Sequence, residues 1–311
     1  MDWAAELGKV GLTVTGQLGA GMDGAVFALA DGSVAKVWSR QDAATLARLR
    51  DFYAQLDGNG LPFATPMIHE IRSVAGTPVT VERHLEGCPL SERIAGRADG
   101  GHSERAMRTF VEVLAALREV PVPSTARTLA VMDEPEPFYA SSDDTWPAAL
   151  ERLVCRRVDA FGPPLRRAVA DLDTLLDQVV GGLRALPDGD RSVIHGDLCT
   201  PNLLVGDKPG DNLDVVSVLD WGYLSMEGDP AFDASLAAGF FDMYGDDARA
   251  IDQTLTRWIA VEFGYPVELL ALYRAVYAIA GACAYDPDGR DGHFAWCVDQ
   301  LRRPDLRTLL R

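Results

Sequence analysis

The chain has 311 residues, 48% of them hydrophobic, and a formal net charge of -17. This length predicts two domains or lobes with ample apolar material for a core. The excess of acids disfavours a nucleic-acid backbone as partner, and no apolar run is long enough to span a membrane.

Cysteine and histidine usage restricts the compartment and the metal chemistry. The five cysteines are widely spaced without a CxxC pair, and the five histidines form no HExxH or other zinc spacing. The first residues lack the basic and then apolar pattern of a secretory signal. We therefore expect reduced thiols, no structural zinc and a cytoplasmic protein.

Residues 11 to 38 are predicted to form strands around a glycine-rich hairpin. Gly19, Gly21 and Gly24 fit the pattern GxGxxG. A dinucleotide-binding fold would need a helix directly after these glycines, but β-branched residues and an Asp-Gly turn signal follow instead. Because glycine backbone can lie close over phosphates, we predict a phosphate-binding hairpin.

Lys36 lies on the strand that returns from this hairpin, among apolar neighbours. A lysine in such a run is often a solvated edge residue, but its position after a glycine hairpin favours phosphate binding. Such a lysine usually needs an acidic partner on the next helix, which the spacing predicts at 41 to 56. Asp42 and Asp51 are both candidates, although an acid in a first turn also suits the helix dipole.

After a strand predicted at 77 to 84, the pattern becomes helical from about residue 90. Helical spacing is found at about 103–119, 145–160, 164–186, 233–242, 247–263 and 266–284. We predict an α+β fold with a small antiparallel sheet lobe (1–86) and a larger, mostly helical lobe (87–311). A cleft between two such lobes is a natural ligand site.

One segment within the helical half carries the strongest chemical signal. Asp197 follows the short apolar run 192–194, and Asn202 comes five residues later. Two buried strands, predicted on either side of the turn-rich stretch 207–212, would bring Asp220 back beside Asn202. The first acid can accept the proton of an attacking hydroxyl, and the amide and the second acid can hold magnesium.

With the glycine hairpin, Lys36 and these three residues in order, the chain resembles the aminoglycoside phosphotransferases. That superfamily includes choline kinases and shares the two-lobe protein-kinase-like fold. The most specific motif is HGDxxxxN, which begins at His195, and the segment 228–233 is similar to the GDPxxD motif of the family. The resemblance covers nearly the whole chain.

The resemblance implies a role for each residue of the predicted site. Asp197 would be the catalytic base, Asn202 and Asp220 would be magnesium ligands, and Lys36 would hold the α- and β-phosphates. The implied cofactors are ATP (or GTP) and Mg2+.

The resemblance also implies roles around this site. Backbone groups of Arg83 and Leu85 would contact the adenine. His195 would orient the catalytic loop through hydrogen bonds. Asp229 and Asp233 would either brace the start of a helix or touch the substrate.

The sequence constrains the chemical identity of the phosphoryl acceptor less than it constrains the reaction. From residue 220 to 252 there are eight acids and a single base, with aromatic residues interleaved. In this fold class the stretch leads to the acceptor pocket, so the acids favour a cationic acceptor; a solvated acidic face is the alternative. Candidate substrate contacts are Glu227, Asp229, Asp242 and Tyr244.

The predicted function is transfer of the γ-phosphoryl group of ATP to a hydroxyl of an aminoglycoside or similar basic antibiotic. The alternatives are a metabolic kinase for choline, an amino acid or a sugar, and a non-catalytic nucleotide-binding regulator. A protein kinase is disfavoured, because residues 220 to 230 leave little room for a peptide-positioning loop.

Overall fold

The first lobe is built on an antiparallel sheet, in a computed structural model that describes residues 1–21, 24–94, 104–132, 134–206 and 213–310. Its elements are α1 (Trp3–Lys9), β1 (Val14–Gly21), β2 (Gly24–Leu29), β3 (Val34–Trp38), α2 (Ala43–Asp57), β4 (Ile68–Val74) and β5 (Thr77–Glu82). The five strands are ordered β1-β2-β3-β5-β4.

The second lobe is mostly helical. Its elements are β6 (Cys88–Pro89), α3 (Leu90–Ile94), α4 (Glu104–Glu119), α5 (Trp146–Ala168), α6 (Leu172–Ala185), β7 (Ser192–Ile194), β8 (Leu203–Val205), β9 (Val215–Val218), β10 (Met226–Gly228), α7 (Pro230–Phe240), α8 (Ala248–Phe263), α9 (Val267–Ala280), α10 (Gly292–Arg302) and α11 (Pro304–Leu309). Strand β8 pairs with β6 and β9, and β10 pairs with β7. These short ladders hold the loops that carry the predicted acids.

The register of β3 against β5 decides which way Lys36 points. Lys36 is opposite Thr80, and Val34 is opposite Glu82. Since residues two apart on a strand share a face, Lys36 lies on the same face as Thr80 and Glu82. The alternate residues of β3, Ala35 and Val37, pack in the apolar core on the other face of the sheet.

Helix α7 runs through the middle of the second lobe. All its residues from Ala231 to Phe240 are buried, and it packs against α4, α8 and α9. A helix that is apolar on all sides is a core helix. Asp233 is therefore a carboxylate placed inside the core, directly beneath the loop after β7.

The predicted two-lobe α+β architecture is confirmed, with the sheet first and the helices after it. The predicted boundary between residues 86 and 87 falls between β5 and β6. None of the helices in the described ranges combines the length and apolarity needed to cross a membrane.

The helix break predicted between residues 160 and 164 was wrong. Helix α5 continues to Ala168 with Pro163 and Pro164 inside it. Proline removes a helical hydrogen bond, but Pro164 and Leu165 are buried here and tertiary packing outweighs the local preference. The turn-rich stretch 207–212 lies outside the described residues.

Candidate active site

A cavity of about 500 Å³ brings three of the predicted residues together. Lys36 from β3, Asp197 from the loop after β7 and Asp220 from the end of β9 all line it. The Nζ of Lys36 lies 3.8 Å from Oδ1 of Asp220. Residues nearly two hundred positions apart in the sequence therefore share one solvent-connected space.

Asn202 is bound directly to the carboxylate beside it. Its Nδ2 donates to the backbone oxygen of Asp197 at 2.9 Å and to Oδ2 of the same residue at 3.3 Å. Because the amide nitrogen is used in this way, the Oδ1 of Asn202 is the atom left to act as a ligand. Asn202 is 6% exposed, so its orientation is fixed by its surroundings.

Asp220 has a strained backbone and an accessible carboxylate. Its φ of 55° lies in the left-handed region, which a residue other than glycine rarely adopts. Its side chain is 61% exposed. The N–H of Leu219, next to Asp220, donates to the backbone oxygen of Asn202 at 2.8 Å, which brings the two segments together. The carboxylate of Asp220 and the Oδ1 of Asn202 are oxygen donors of the type that Mg2+ prefers, and two protein ligands would leave positions for nucleotide oxygens.

A second, buried carboxylate holds the catalytic loop from below. The two oxygens of Asp233 accept hydrogen bonds from the backbone N–H groups of His195 and Gly196, each at 2.7 Å. Burial raises the pKa of Asp233 to about 6, even though both hydrogen bonds act to lower it. Asp233 thus braces the loop and does not reach the cavity.

His195 connects the two acidic loops. Its Nδ1 accepts a hydrogen bond from the backbone N–H of Asp197 at 3.1 Å, so its Nε2 carries the hydrogen and donates to the oxygen of Leu219 at 2.8 Å. Burial lowers the pKa of His195 to about 4, so the ring is neutral at physiological pH. These contacts are those of an orienting residue.

The surroundings of Lys36 include an acid that the sequence did not single out. Glu82 is 7% exposed and accepts a hydrogen bond from the hydroxyl of Thr80. Burial raises the pKa of Glu82, while the nearby Lys36 opposes that rise. Lys36 also lies 3.9 Å from the ring centroid of Trp38.

The prediction that Asp42 is the ion-pair partner of Lys36 was wrong. Asp42 is the N-cap of α2, and its Oδ1 accepts from the N–H of Thr45 at 2.7 Å. This contact lowers the pKa of Asp42. The other candidate, Asp51, pairs with Arg50 at 3.2 Å. The acids that face Lys36 come from β5 and from the end of β9.

A family model described as the phosphotransferase enzyme family (APH) matches residues 15–270. The chain belongs to this phosphotransferase family. It is 29% identical over 236 residues to streptomycin 3''-kinase from Streptomyces griseus, an alignment that covers 74% of this chain and 79% of that protein.

Solved structures of similar fold extend over nearly the whole chain. A GDP complex of aminoglycoside 2'-phosphotransferase-IIIa has a TM-score of 0.64 and 16% identity, covering 96% of this chain and 95% of that chain. Macrolide 2'-phosphotransferase from Brachybacterium faecium has a TM-score of 0.56 and 20% identity, covering 97% and 96%. At these identities the likeness establishes the fold.

The glycine hairpin of the phosphotransferase is described except for its two tip residues. Gly21 pairs with Gly24 across the turn, and Met22 and Asp23 lie outside the described residues. Gly24 has a φ of 141°, and a Cβ there would lie 1.6 Å from the oxygen of Val37. Only glycine fits at this position. A Cβ at Gly19 or Gly21 would meet no atom, so packing does not explain those two glycines.

The segment predicted to contact the adenine follows β5. The N–H of Arg83 donates to the oxygen of Met67 at 2.9 Å, and its guanidinium pairs with Asp57 at 2.6 Å. The carbonyl of Arg83 and the backbone of the half-buried Leu85 are therefore the groups that could face a base.

Two of the acids predicted to bind the acceptor have partners within the fold. Glu227 pairs with Arg127 at 2.8 Å. Asp229 is the N-cap of α7 and accepts a hydrogen bond from the hydroxyl of Tyr273 at 2.7 Å. Both carboxylates thus have partners within the fold, and their assignment as substrate contacts stays a prediction.

The remaining acceptor candidates lie after α7. Asp242 accepts a hydrogen bond from the N–H of Gly245 at 2.8 Å, and Tyr244 is 67% exposed. The cavity itself is lined near Asp197 by Tyr223 and Tyr285, which the sequence analysis did not single out. Burial raises the pKa of Tyr285, so its hydroxyl stays protonated and can donate a hydrogen bond.

Proposed function

We propose that this phosphotransferase transfers the γ-phosphoryl group of ATP to a hydroxyl of an aminoglycoside, with Mg2+ as the metal. The observation that carries the proposal is the convergence of Lys36, Asp197 and Asp220 on one cavity. The relative named streptomycin 3''-kinase makes streptomycin the first acceptor to test.

Asp197 is the proposed general base. Its carboxylate lines the cavity and accepts from Nδ2 of Asn202, so it is held in one orientation. An acceptor hydroxyl within hydrogen-bond reach would pass its proton to this carboxylate as the new O–P bond forms. Replacing a positioned base typically lowers turnover by about 10² to 10⁴.

Lys36 and the proposed metal site would supply positive charge to the phosphates. The side chain of Lys36 is 17% exposed, so its ammonium acts where solvent screens it weakly. Asn202 and Asp220 would hold Mg2+, which when bound neutralises charge on the transferring phosphate. The transition state of phosphoryl transfer is loose, so positioning and charge neutralisation account for most of the catalysis.

The aromatic residues that line the cavity favour a large, ring-containing acceptor. Tyr223 and Tyr285 offer aromatic faces and hydroxyl groups next to Asp197. Pockets that combine aromatic walls with a few polar groups are typical of small-molecule sites. The net charge of -17 would attract a cationic antibiotic over longer distances.

The test is phosphorylation of an acceptor panel. The protein is incubated with ATP and Mg2+ and with streptomycin, kanamycin, a macrolide, choline or glucosamine, and products are identified by mass spectrometry. We expect addition of one phosphate to an aminoglycoside and none to choline. Transfer to choline or glucosamine alone would reject the acceptor class but not the kinase chemistry.

Two variants test the assignment of the base. Asp197→Ala is expected to lose turnover while it still binds ATP. Asp190→Ala, which removes an exposed acid just before β7, is the matched control and should retain full activity. Near wild-type turnover in Asp197→Ala would contradict the assignment. Absence of transfer to every acceptor tested would favour a non-catalytic regulator.

A further inference from the structure

Arg48 on α2 has an unsatisfied hydrogen-bond donor at the edge of the proposed active site. Arg48 lines the same cavity as Lys36, Asp197 and Asp220. Its terminal nitrogen donates to the hydroxyl of Thr45 at 3.1 Å, but its Nε is buried and has no hydrogen-bond partner. A buried donor without an acceptor is rare, and a ligand that is not present is one explanation for it.

The helix that carries Arg48 is fixed to the segment after Asp220. The hydroxyl of Tyr53 donates to the backbone oxygen of Trp221 at 2.7 Å. Leu49 packs so closely on Gly222 that a Cβ there would lie 2.9 Å from it. These contacts hold the Arg48 backbone in a set position relative to the metal-binding acid.

The acids of α2 and its N-cap have direct hydrogen-bond or ion-pair partners other than Arg48, although the pKa of Asp42, lowered mainly by its hydrogen bonds with Thr45, is lowered further by the positive charge of Arg48. Asp42 caps the helix, Asp51 pairs with Arg50, and Asp57 pairs with Arg83. Glu134, an acid on the cavity wall, pairs with Arg156. The positive charge of Arg48 is thus available to an anion in the cavity.

We propose that Arg48 binds the terminal phosphate of the nucleotide, an inference that rests on the proposed function. Guanidinium is planar and presents parallel N–H groups, which match phosphate oxygens better than an ammonium does. Lys36, whose side chain is 17% exposed in the same cavity, would serve the inner phosphates. Arg48 would stabilise the charge of the transferring group from the side of α2.

The experiment compares two nucleotides in direct binding. The affinities of ADP and of a non-hydrolysable ATP analogue, each with Mg2+, are measured by calorimetry for the wild type and for Arg48→Gln. We expect the variant to bind the analogue at least about tenfold more weakly and ADP within about twofold, since the loss of a charge-assisted hydrogen bond affects only the nucleotide with a third phosphate.

Two further variants complete the design. Arg50→Gln removes an exposed arginine of the same helix that pairs with Asp51, and both affinities should stay at the wild-type values. Arg48→Lys keeps the charge but loses the planar fork, and should give an intermediate ratio.

The possible results separate this inference from the proposed function. Equal weakening of both nucleotides, or unchanged binding of the analogue, would overturn the role of Arg48. Failure of the wild type to bind either nucleotide would instead reject the kinase proposal itself. Retained ADP binding in Arg48→Gln shows that the variant is folded.

Discussion

Asp233 offers a test of how the catalytic loop is held, because one buried carboxylate serves two backbone donors. Its pKa is raised from 3.8 to about 6 in the folded protein. The folded state therefore binds a proton more tightly than the unfolded state does. The stability that this group contributes is fully present below pH 3.8 and is lost as the pH rises through 6.

The size of the effect follows from these two pKa values. Between pH 5 and pH 8 the wild type should lose about 1.4 kcal/mol of stability through Asp233. In a chain of 311 residues that corresponds to a fall in Tm of about 2 °C. Asp233→Asn cannot titrate, so its Tm should lack this component. The measurement is thermal unfolding by circular dichroism across this pH range.

The difference between the two Tm curves isolates the carboxylate, because every other titrating group is common to both proteins. Asp246→Asn, which changes an exposed acid beyond α7, should follow the wild type. Asparagine also points an NH2 group at one of the two backbone donors, so turnover should fall about tenfold or more as the loop shifts. Parallel curves for wild type and Asp233→Asn would refute the reasoning.

Two other substitutions probe buried groups near the cleft and in the helical lobe. Glu82→Gln should raise the KM for ATP severalfold, because it removes the carboxylate that interacts with Lys36. The substitution should not lower Tm, because it also removes the cost of burying that carboxylate, and a clear drop in Tm would contradict this. His293 is buried with its pKa lowered to about 4, so the unfolded state takes up a proton first as the pH falls below 6.5. The wild type should therefore gain about 2 kcal/mol of stability through this group from pH 5 to pH 8, and His293→Gln should lack that gain, as measured by Tm. Equal slopes of Tm against pH in the two proteins would contradict the prediction.

The parts of the site that could be predicted from the sequence are those encoded locally. Asp197 and Asn202 belong to one short loop, and Lys36 follows a glycine hairpin within the same sheet. The position of Asp220 beside Asn202 could be predicted because two apolar strands with a turn between them predict a hairpin. Strand alternation and turn residues determine such arrangements without knowledge of distant contacts.

The features that were not predicted depend on which partner each side chain takes in the folded protein. Glu227 looked free because Arg127, its partner, lies a hundred residues earlier. Asp42 was proposed for Lys36 from helix position alone, whereas local capping of α2 uses its carboxylate. Glu82 could have been found by noting that it lies two residues from Thr80 on the strand paired with Lys36, but the register is a property of the sheet.

The acidic composition is a weaker guide to the acceptor than it seemed from the sequence. At least five of the eight acids between residues 220 and 252 have partners in the lobe or its backbone: Glu227, Asp229, Asp233, Asp242 and Asp252. An acid with an internal partner adds to the net charge but is less available to bind a cationic substrate by direct contact. For the proposed basic acceptor, selectivity would then depend more on long-range attraction and on the walls of the cavity.

Two acids, Asp220 and Glu82, interact electrostatically with Lys36, and this bears on how nucleotide binding would begin. Asp220 lies 3.8 Å away with a largely exposed side chain, whereas Glu82 is buried on the same sheet face. At that distance the attraction to Asp220 is about 1 to 4 kcal/mol, depending on how well water screens it. Phosphate oxygens and Mg2+ would replace both halves of this ion pair, and the buried charge of Glu82 would keep Lys36 in place while they do so. Glu82 thus matters most for binding the nucleotide and least for holding the fold together.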